Sequence, residues 1–233
     1  MKQGQRAAAP PAADSRGEPA AGRPALSRDA ILDMAMHLAQ AEGDTQLSLA
    51  RLGKAMDVDA TAVYRYFRRK DDLLLALGDR LIKVAVSEMR PRRHWADTLE
   101  HIALHLREVC LARPALSCLI AARFTGGDGE LEFRDHILAA LGEAGFSGAE
   151  AAAQCRAFAE LTLSHIGLTA TLLSLPAELQ EQDVALGIRI YNLDGLARTR
   201  ASIQPDAARG VEDKVFRDIL AHYLTGLRAA APS

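Results

Sequence analysis

Between Ser48 and Lys70 the chain reads SLARLGKAMDVDATAVYRYFRRK, a stretch that gathers side chains able to grip a polyanion and read its surface. Six basic residues (Arg51, Lys54, Arg65, Arg68, Arg69, Lys70) stand there against two Asp and no Glu, although the whole chain carries a formal net charge of −2. Such local concentration is the electrostatic footprint of a phosphate-binding module. At about 100° per residue, Thr61, Arg65 and Arg68 share one narrow arc of a helix starting at Ala60, with Val63 and Phe67 opposite. One face can pack on a small core while the other offers an alcohol and two guanidiniums. A helix fits the major groove of DNA, and Arg is well suited to read guanine there. An amphipathic helix with outward Arg also suits a plain solvated surface; the local charge excess is what separates the two readings.

Two short elements must position that face. Ser48 can cap a first helix in which Leu49, Leu52, Ala55 and Met56 recur at helical spacing. Met56-Asp57-Val58 forms a turn, and Asp59 is placed to cap the second helix at Ala60. Helix, tight turn and helix followed by a basic cluster make a helix-turn-helix.

The run Thr61-Ala-Val-Tyr64-Arg-Tyr66-Phe67-x-x-Lys70-Asp-Asp-Leu73-Leu74 resembles the signature of the TetR (tetracycline-repressor) family of bacterial regulators. The match continues upstream through a helix from Ser27 to Glu42-Gly43 and covers about a quarter of the chain. Beyond it the similarity is one of helical character and of phrases such as Ala140-Leu-Gly-Glu-Ala-Gly145-Phe-Ser. Two departures stand out: Asp57 replaces the family's usual turn Gly, and Gly53 replaces its usual Ala. Asp tolerates a left-handed backbone better than most residues, so the turn is retained at some loss of stability. The resemblance implies that Tyr64, Tyr66 and Lys70 meet the phosphate backbone while Thr61 and Arg65 reach bases. Ser48, Lys54 and Ala60 complete the DNA-facing set.

The remaining chain reads as all-α. With 233 residues, 49% hydrophobic and only 5% aromatic, it has room for one small and one larger domain rich in Ala and Leu. Four of the nine prolines precede Leu26, in an Ala/Gly/Arg-rich tail over residues 1–26 that is expected to be disordered. A helix-turn-helix DNA-binding domain is expected over 27–90 and a helical ligand-binding and dimerisation domain over 91–233. Prolines 91, 114, 176 and 205 mark breaks between helices at about 71–89, 95–112, 114–124, 130–144, 147–174, 177–200 and 208–229. The first carries Leu73, Leu74, Leu77, Leu81, Ile82 and Val86 on a broad apolar face and should join head to body. No apolar run suits a membrane span, and the N-terminus lacks a signal peptide's apolar region, so a cytoplasmic protein with no membrane association is expected. Cys110, Cys118 and Cys155 are odd in number and lack C-x-x-C spacing, as reduced thiols would be.

Other chemistry has weaker signals. Asp97, His101, His105 and Glu108 share one side of the 95–112 helix, a spacing that can hold a divalent metal, yet nothing completes a ligand set and no metal site is assigned. Gly126-Gly-x-Gly129 follows a helix, not a strand, so it is no phosphate loop; no catalytic triad or dinucleotide fingerprint occurs, and neither enzyme activity nor a cofactor is expected. His165, beside Thr162, Ser164 and Thr169, reads either as a bonded core histidine or as a ligand contact. Arg123, Thr162, His165 and Thr169 are the candidate polar groups of an apolar pocket between helices, with the Gly126–Gly129 loop leaving room. Val211, Val215, Ile219, Tyr223 and Gly226 form a stripe on the last helix that suits a homodimer interface. Together with the resemblance, these features imply a ligand-responsive regulator that binds double-stranded operator DNA, a repressor released by a small, mostly apolar effector. The alternative is a helical small-molecule-binding or interaction protein without specific DNA binding.

Overall fold

The computed structural model describes residues 26–42, 47–118, 123–190 and 205–232, and all regular structure among them is helical. The described residues form, in order, α1 Arg28–Glu42, α2 Leu49–Ala55, α3 Ala60–Tyr64, α4 Lys70–Ser87, α5 Trp95–Leu111, α6 Pro114–Ser117, α7 Asp128–Glu143, α8 Gly148–Leu173, α9 Ala177–Ile190 and α10 Pro205–Ala230. The tail expected over 1–26 lies outside the described residues but for Leu26, as does the 191–200 end of the helix expected over 177–200.

Local signals set the head. The Ser27 hydroxyl accepts from the Ala30 amide at 3.1 Å and starts α1. Ile31, Leu32, Ala35 and Ala39 recur along α1 and are all buried. Against them pack Leu49 and Leu52 of α2, Val63 of α3 and Phe67, each nearly inaccessible. α4 then runs on from these residues, burying Leu73, Leu77, Leu81, Ile82 and Val86 as its periodicity predicts. Arg80 on α4 pairs with Asp29 at 3.3 Å and Asp33 at 2.9 Å, tying α4 to the outer side of α1. A single contiguous apolar cluster runs from Ile31 through α4 to Leu227 on α10.

In the body, α5, α7 and α8 enclose Leu99, Ile102, Leu106, Phe133, Ile137 and Phe158, and α10 adds Phe216, Leu220, Leu224 and Leu227. The helix expected over 114–124 is corrected to one turn. It closes with Ser117 donating to the Cys110 carbonyl at 2.6 Å, and residues 123–127 are not helical. Cys110 and Cys155 are buried free thiols; burial pushes the Cys110 thiol up to about 12, which leaves it unreactive. No single helix among the described residues is long and apolar enough to cross a membrane.

Candidate nucleic-acid interface and ligand-facing cluster

The two-helix unit is pinned by its own side chains. Ser48 accepts from the Arg51 amide at 3.2 Å, and the Asp59 carboxylate accepts from the Thr61 amide at 2.8 Å and the Thr61 hydroxyl at 2.6 Å. Those two bonds hold the Asp59 carboxyl below its ordinary range. Between the helices Asp57 takes φ 53°, the left-handed conformation expected of it. The Val58 amide reaches the Gly53 carbonyl at 2.9 Å and the Asp57 amide the Lys54 carbonyl at 3.2 Å, a Schellman-type ending to α2. A Cβ at Gly53 would stand 3.1 Å from both the Ala60 Cα and the Val58 carbonyl oxygen, so the departure from Ala lets the helices approach closely.

Lys54, Thr61, Tyr64, Arg65, Tyr66 and Lys70 are exposed around α3, and Ala60 is half-buried at its start. α3 is shorter than the periodicity suggests: it ends at Tyr64, with Arg65 as its C-cap. Arg68 therefore leaves the arc shared by Thr61 and Arg65. The cause is Phe67, only 1% exposed, after which Arg69 turns extended so that α4 can begin. The Tyr66 hydroxyl donates to the Leu26 carbonyl at 2.7 Å, and Arg69 pairs with Asp72 at 3.0 Å. Ser48 serves as a cap with its oxygen turned to α2. What faces outward is thus Thr61, Tyr64 and Arg65 on or beside α3, with Lys70 on the first turn of α4, whose dipole is met by the Asp71 and Asp72 carboxylates.

In the body, α8 presents Thr162, His165 and Thr169 along one face; Thr162 is fully buried and Thr169 nearly so. The Thr169 hydroxyl lies 3.4 Å from His165 Nδ1, and the imidazole packs on Phe216 of α10 with centroids 4.6 Å apart. Burial, and then the nearby Arg107 guanidinium, lowers the His165 pKa, which keeps the ring neutral near pH 7. Arg107 itself went unnoticed in the sequence. It is buried, pairs with Asp213 of α10 and sits 5.4 Å from the Phe216 centroid. Its signal was available: Ala103, Leu106, Arg107 and Cys110 fall at i, i+3, i+4 and i+7, so the guanidinium is on the buried face of α5. Arg123 is not brought to this cluster; it pairs with Asp71 at the start of α4, 2.5 Å away.

The Gly126–Gly129 loop does not open space for a pocket. A Cβ at Gly129 would lie 2.3 Å from the Asp79 carbonyl oxygen, so α7 meets α4 with almost no gap. Asp79 caps α7 across that contact, accepting from the amides of Gly129 at 3.1 Å and Glu130 at 2.9 Å and from the Thr125 hydroxyl at 2.8 Å. Glu130 in turn accepts from the amides of Thr125 and Gly126 and from Arg134. His101 and His105 stack 5.7 Å apart, with the Arg92 guanidinium about 3.0 Å from His101. No group of three metal-ligating side chains occurs among the described residues.

Residues 31–77, which hold α1 to α3 and the start of α4, match the profile of the bacterial regulatory proteins of the tetR family. Over 103 residues the chain is 35% identical to an HTH-type transcriptional repressor of Mycobacterium tuberculosis, an alignment covering 43% of this chain and 40% of that protein. The chain spans about half the length, or less, of the curated relatives it matches. A solved structure from Streptomyces coelicolor, described as a possible TetR family transcriptional regulator, superposes with a TM-score of 0.71 at 27% identity, over 88% of this chain and 100% of that one. The Streptomyces coelicolor TetR family protein ActR, in complex with (S)-DNPA, shares the fold at 23% identity and a TM-score of 0.65, over 89% of this chain and 99% of that one.

Proposed function

Since the chain belongs to the tetR family of bacterial regulatory proteins, we propose that it is a dimeric, ligand-responsive transcriptional regulator, a repressor released from double-stranded operator DNA by a small effector. The observation that carries this reading is the paired Ser48 and Asp59 caps around the Asp57 turn, which hold α3 with Thr61 and Arg65 outward beside Lys70. Thr61 and Arg65 read base edges, while Tyr64, Lys54 and Lys70 meet phosphates. Tyr66 has a second role, since its hydroxyl holds the chain entering α1. The effector site lies by Thr162, His165 and Thr169 in the body, and α4, whose apolar face belongs to the contiguous cluster, carries its influence to the head. A ligand acts only through its different affinity for the two arrangements of the heads. The ActR complex and the repressor among the relatives support ligand response and the sign of regulation. The protein acts in the cytoplasm, where its operator is, and performs no catalysis.

The test is duplex DNA binding at several salt concentrations, with fragments flanking the protein's own coding region. A specific regulator gives a steep salt dependence together with affinity for one fragment about a thousandfold or more above nonspecific DNA. A salt slope without such a ratio would leave only a basic helical protein.

A further inference from the structure

Among the residues buried on α5, Arg107 is the one that carries a charge. Burial of a guanidinium is unfavourable unless its charge and its donors are matched. Here the match is incomplete. One terminal nitrogen meets Asp213, whose side chain is 53% exposed, and Nε has no acceptor among the described residues. On α8 the Thr162 hydroxyl oxygen is fully buried and also lacks a partner, one turn before His165 on the same face. Arg107 and His165 both pack against the ring of Phe216. Orphaned buried polar atoms are rare in folded proteins, and two of them, one on Phe216 and one a turn from a histidine on the same ring, fit a bound molecule.

We propose that Arg107 is the anion-recognition residue of the effector site, and that the effector carries a carboxylate which takes the guanidinium over from Asp213. This rests on the ligand-responsive reading above and names the effector's class. A planar carboxylate matches the guanidinium fork and can engage Nε and a terminal nitrogen together, where Asp213 meets only one terminal nitrogen. Thr162 and the neutral His165 donate to or accept from the rest of the molecule. Phe216, on which Arg107 and His165 both pack, and Leu106 and Ile166, their chain neighbours on α5 and α8, are apolar and buried, which suits an alkyl or aryl body. A single buried cation is too little charge for a doubly ionised phosphate. Asp213 acts as an internal stand-in: a half-exposed carboxylate that covers the guanidinium until a ligand with apolar surface to bury replaces it. Because Asp213 belongs to α10, that exchange also removes a link between α5 and α10.

The experiment is a thermal-shift measurement on the full chain with alkyl and aryl carboxylates from benzoate to decanoate, each beside its primary amide. At least one acid should raise the melting temperature by about 2–4 °C while its amide does not. Arg107→Gln should abolish the response, and Asp213→Asn, which removes the internal competitor, should tighten binding of that acid about threefold or more. Equal stabilisation by acid and amide, an undiminished response in Arg107→Gln, or no response to any acid overturns the assignment. If Arg107→Gln does not fold, the Asp213→Asn protein decides, with unchanged or weaker acid binding counting against it. Operator affinity without ligand, measured on the same proteins, is a separate readout. Its loss would remove the regulator reading, whereas failure of the acids with operator binding intact removes only the carboxylate.

Discussion

Under the proposed function, two side chains beside α3 have different roles on DNA, and their surroundings say how to separate them. Arg65 stands at the C-cap of a helix whose start is rigidly capped, so its reach is set by the helix. Lys70 opens α4 and is exposed there. Arg65→Ala should therefore weaken operator binding by ~1–3 kcal/mol and relax preference at particular base pairs, as read by binding to operators with single substitutions. Lys70→Ala should weaken every sequence alike and lower the salt slope by about one. An Arg65→Ala protein with unchanged sequence preference contradicts the assignment. Asp57 illustrates a backbone constraint at the same scale. Its φ of 53° is strained for a β-branched side chain, so Asp57→Val should lower the melting temperature more than Asp57→Gly does.

At the scale of elements, the α4–α7 junction is stitched by carboxylates, and it responds to both shape and pH. Gly129→Ala must push α7 off the α4 backbone, since the added carbon would lie 2.3 Å from the Asp79 carbonyl oxygen, and should cost roughly 1–3 kcal/mol in denaturant unfolding. Glu130 is almost wholly buried. Burial raises its pKa, but Arg134 and the amides of Gly126 and Thr125 outweigh it and the net shift is downward. A carboxyl depressed in the folded state contributes stability that is complete above its unfolded pKa, about 4.3, and is lost as pH falls through the folded value. Glu130→Gln should accordingly lose about 1–3 kcal/mol at pH 7 and converge with the wild type once the pH falls below the depressed folded pKa. A difference that persists in acid would assign Glu130's role to packing. This junction was hidden in the sequence because its partners lie 50 and 51 residues apart, and no periodicity announces them. Local devices were legible: the Ser48 and Asp59 caps depend only on neighbours two or three residues away, and the apolar face of α4 on spacing alone. The true length of α3 was not, since it ends where Phe67 must turn into the core. Arg107 hid differently, as a charged residue on a buried face whose partner Asp213 is supplied by α10.

At the scale of the whole molecule, α10 leaves part of its apolar surface uncovered. One stripe, Phe216, Leu220, Leu224 and Leu227, is buried against the body, so the helix already has its core contact. A second, Val215 and Ile219, stays 42% exposed, with Gly226 and part of Tyr223 continuing it, while the side chain of Val211 lies outside the described residues. On α8, Ala149, Ala153, Ala157 and Leu168 are exposed too, and Leu168 at 62% is far more open than a long aliphatic needs to be. A groove of about 240 Å³ lined by Gln154, His222, Tyr223, Gly226, Leu227 and Ala230 lies between the two helices. Small residues permit close helix approach, and each aliphatic side chain contributes about 1.5–3 kcal/mol when fully buried. A two-fold pairing of α8 and α10 with their copies would cover all of it. The proposed function has the same need: a five-residue recognition helix would read too few base pairs alone, and a dimer would double the site. Wild-type protein should therefore sediment as a dimer at micromolar concentration. Ile219→Asp should give a folded monomer with nearly unchanged helical circular dichroism, since the side chain is already half in water, and operator affinity should fall by at least about a hundredfold as the second half-site is lost. A wild-type monomer refutes the pairing outright. An Ile219→Asp dimer that has lost operator affinity would mean that this stripe faces something other than its own copy.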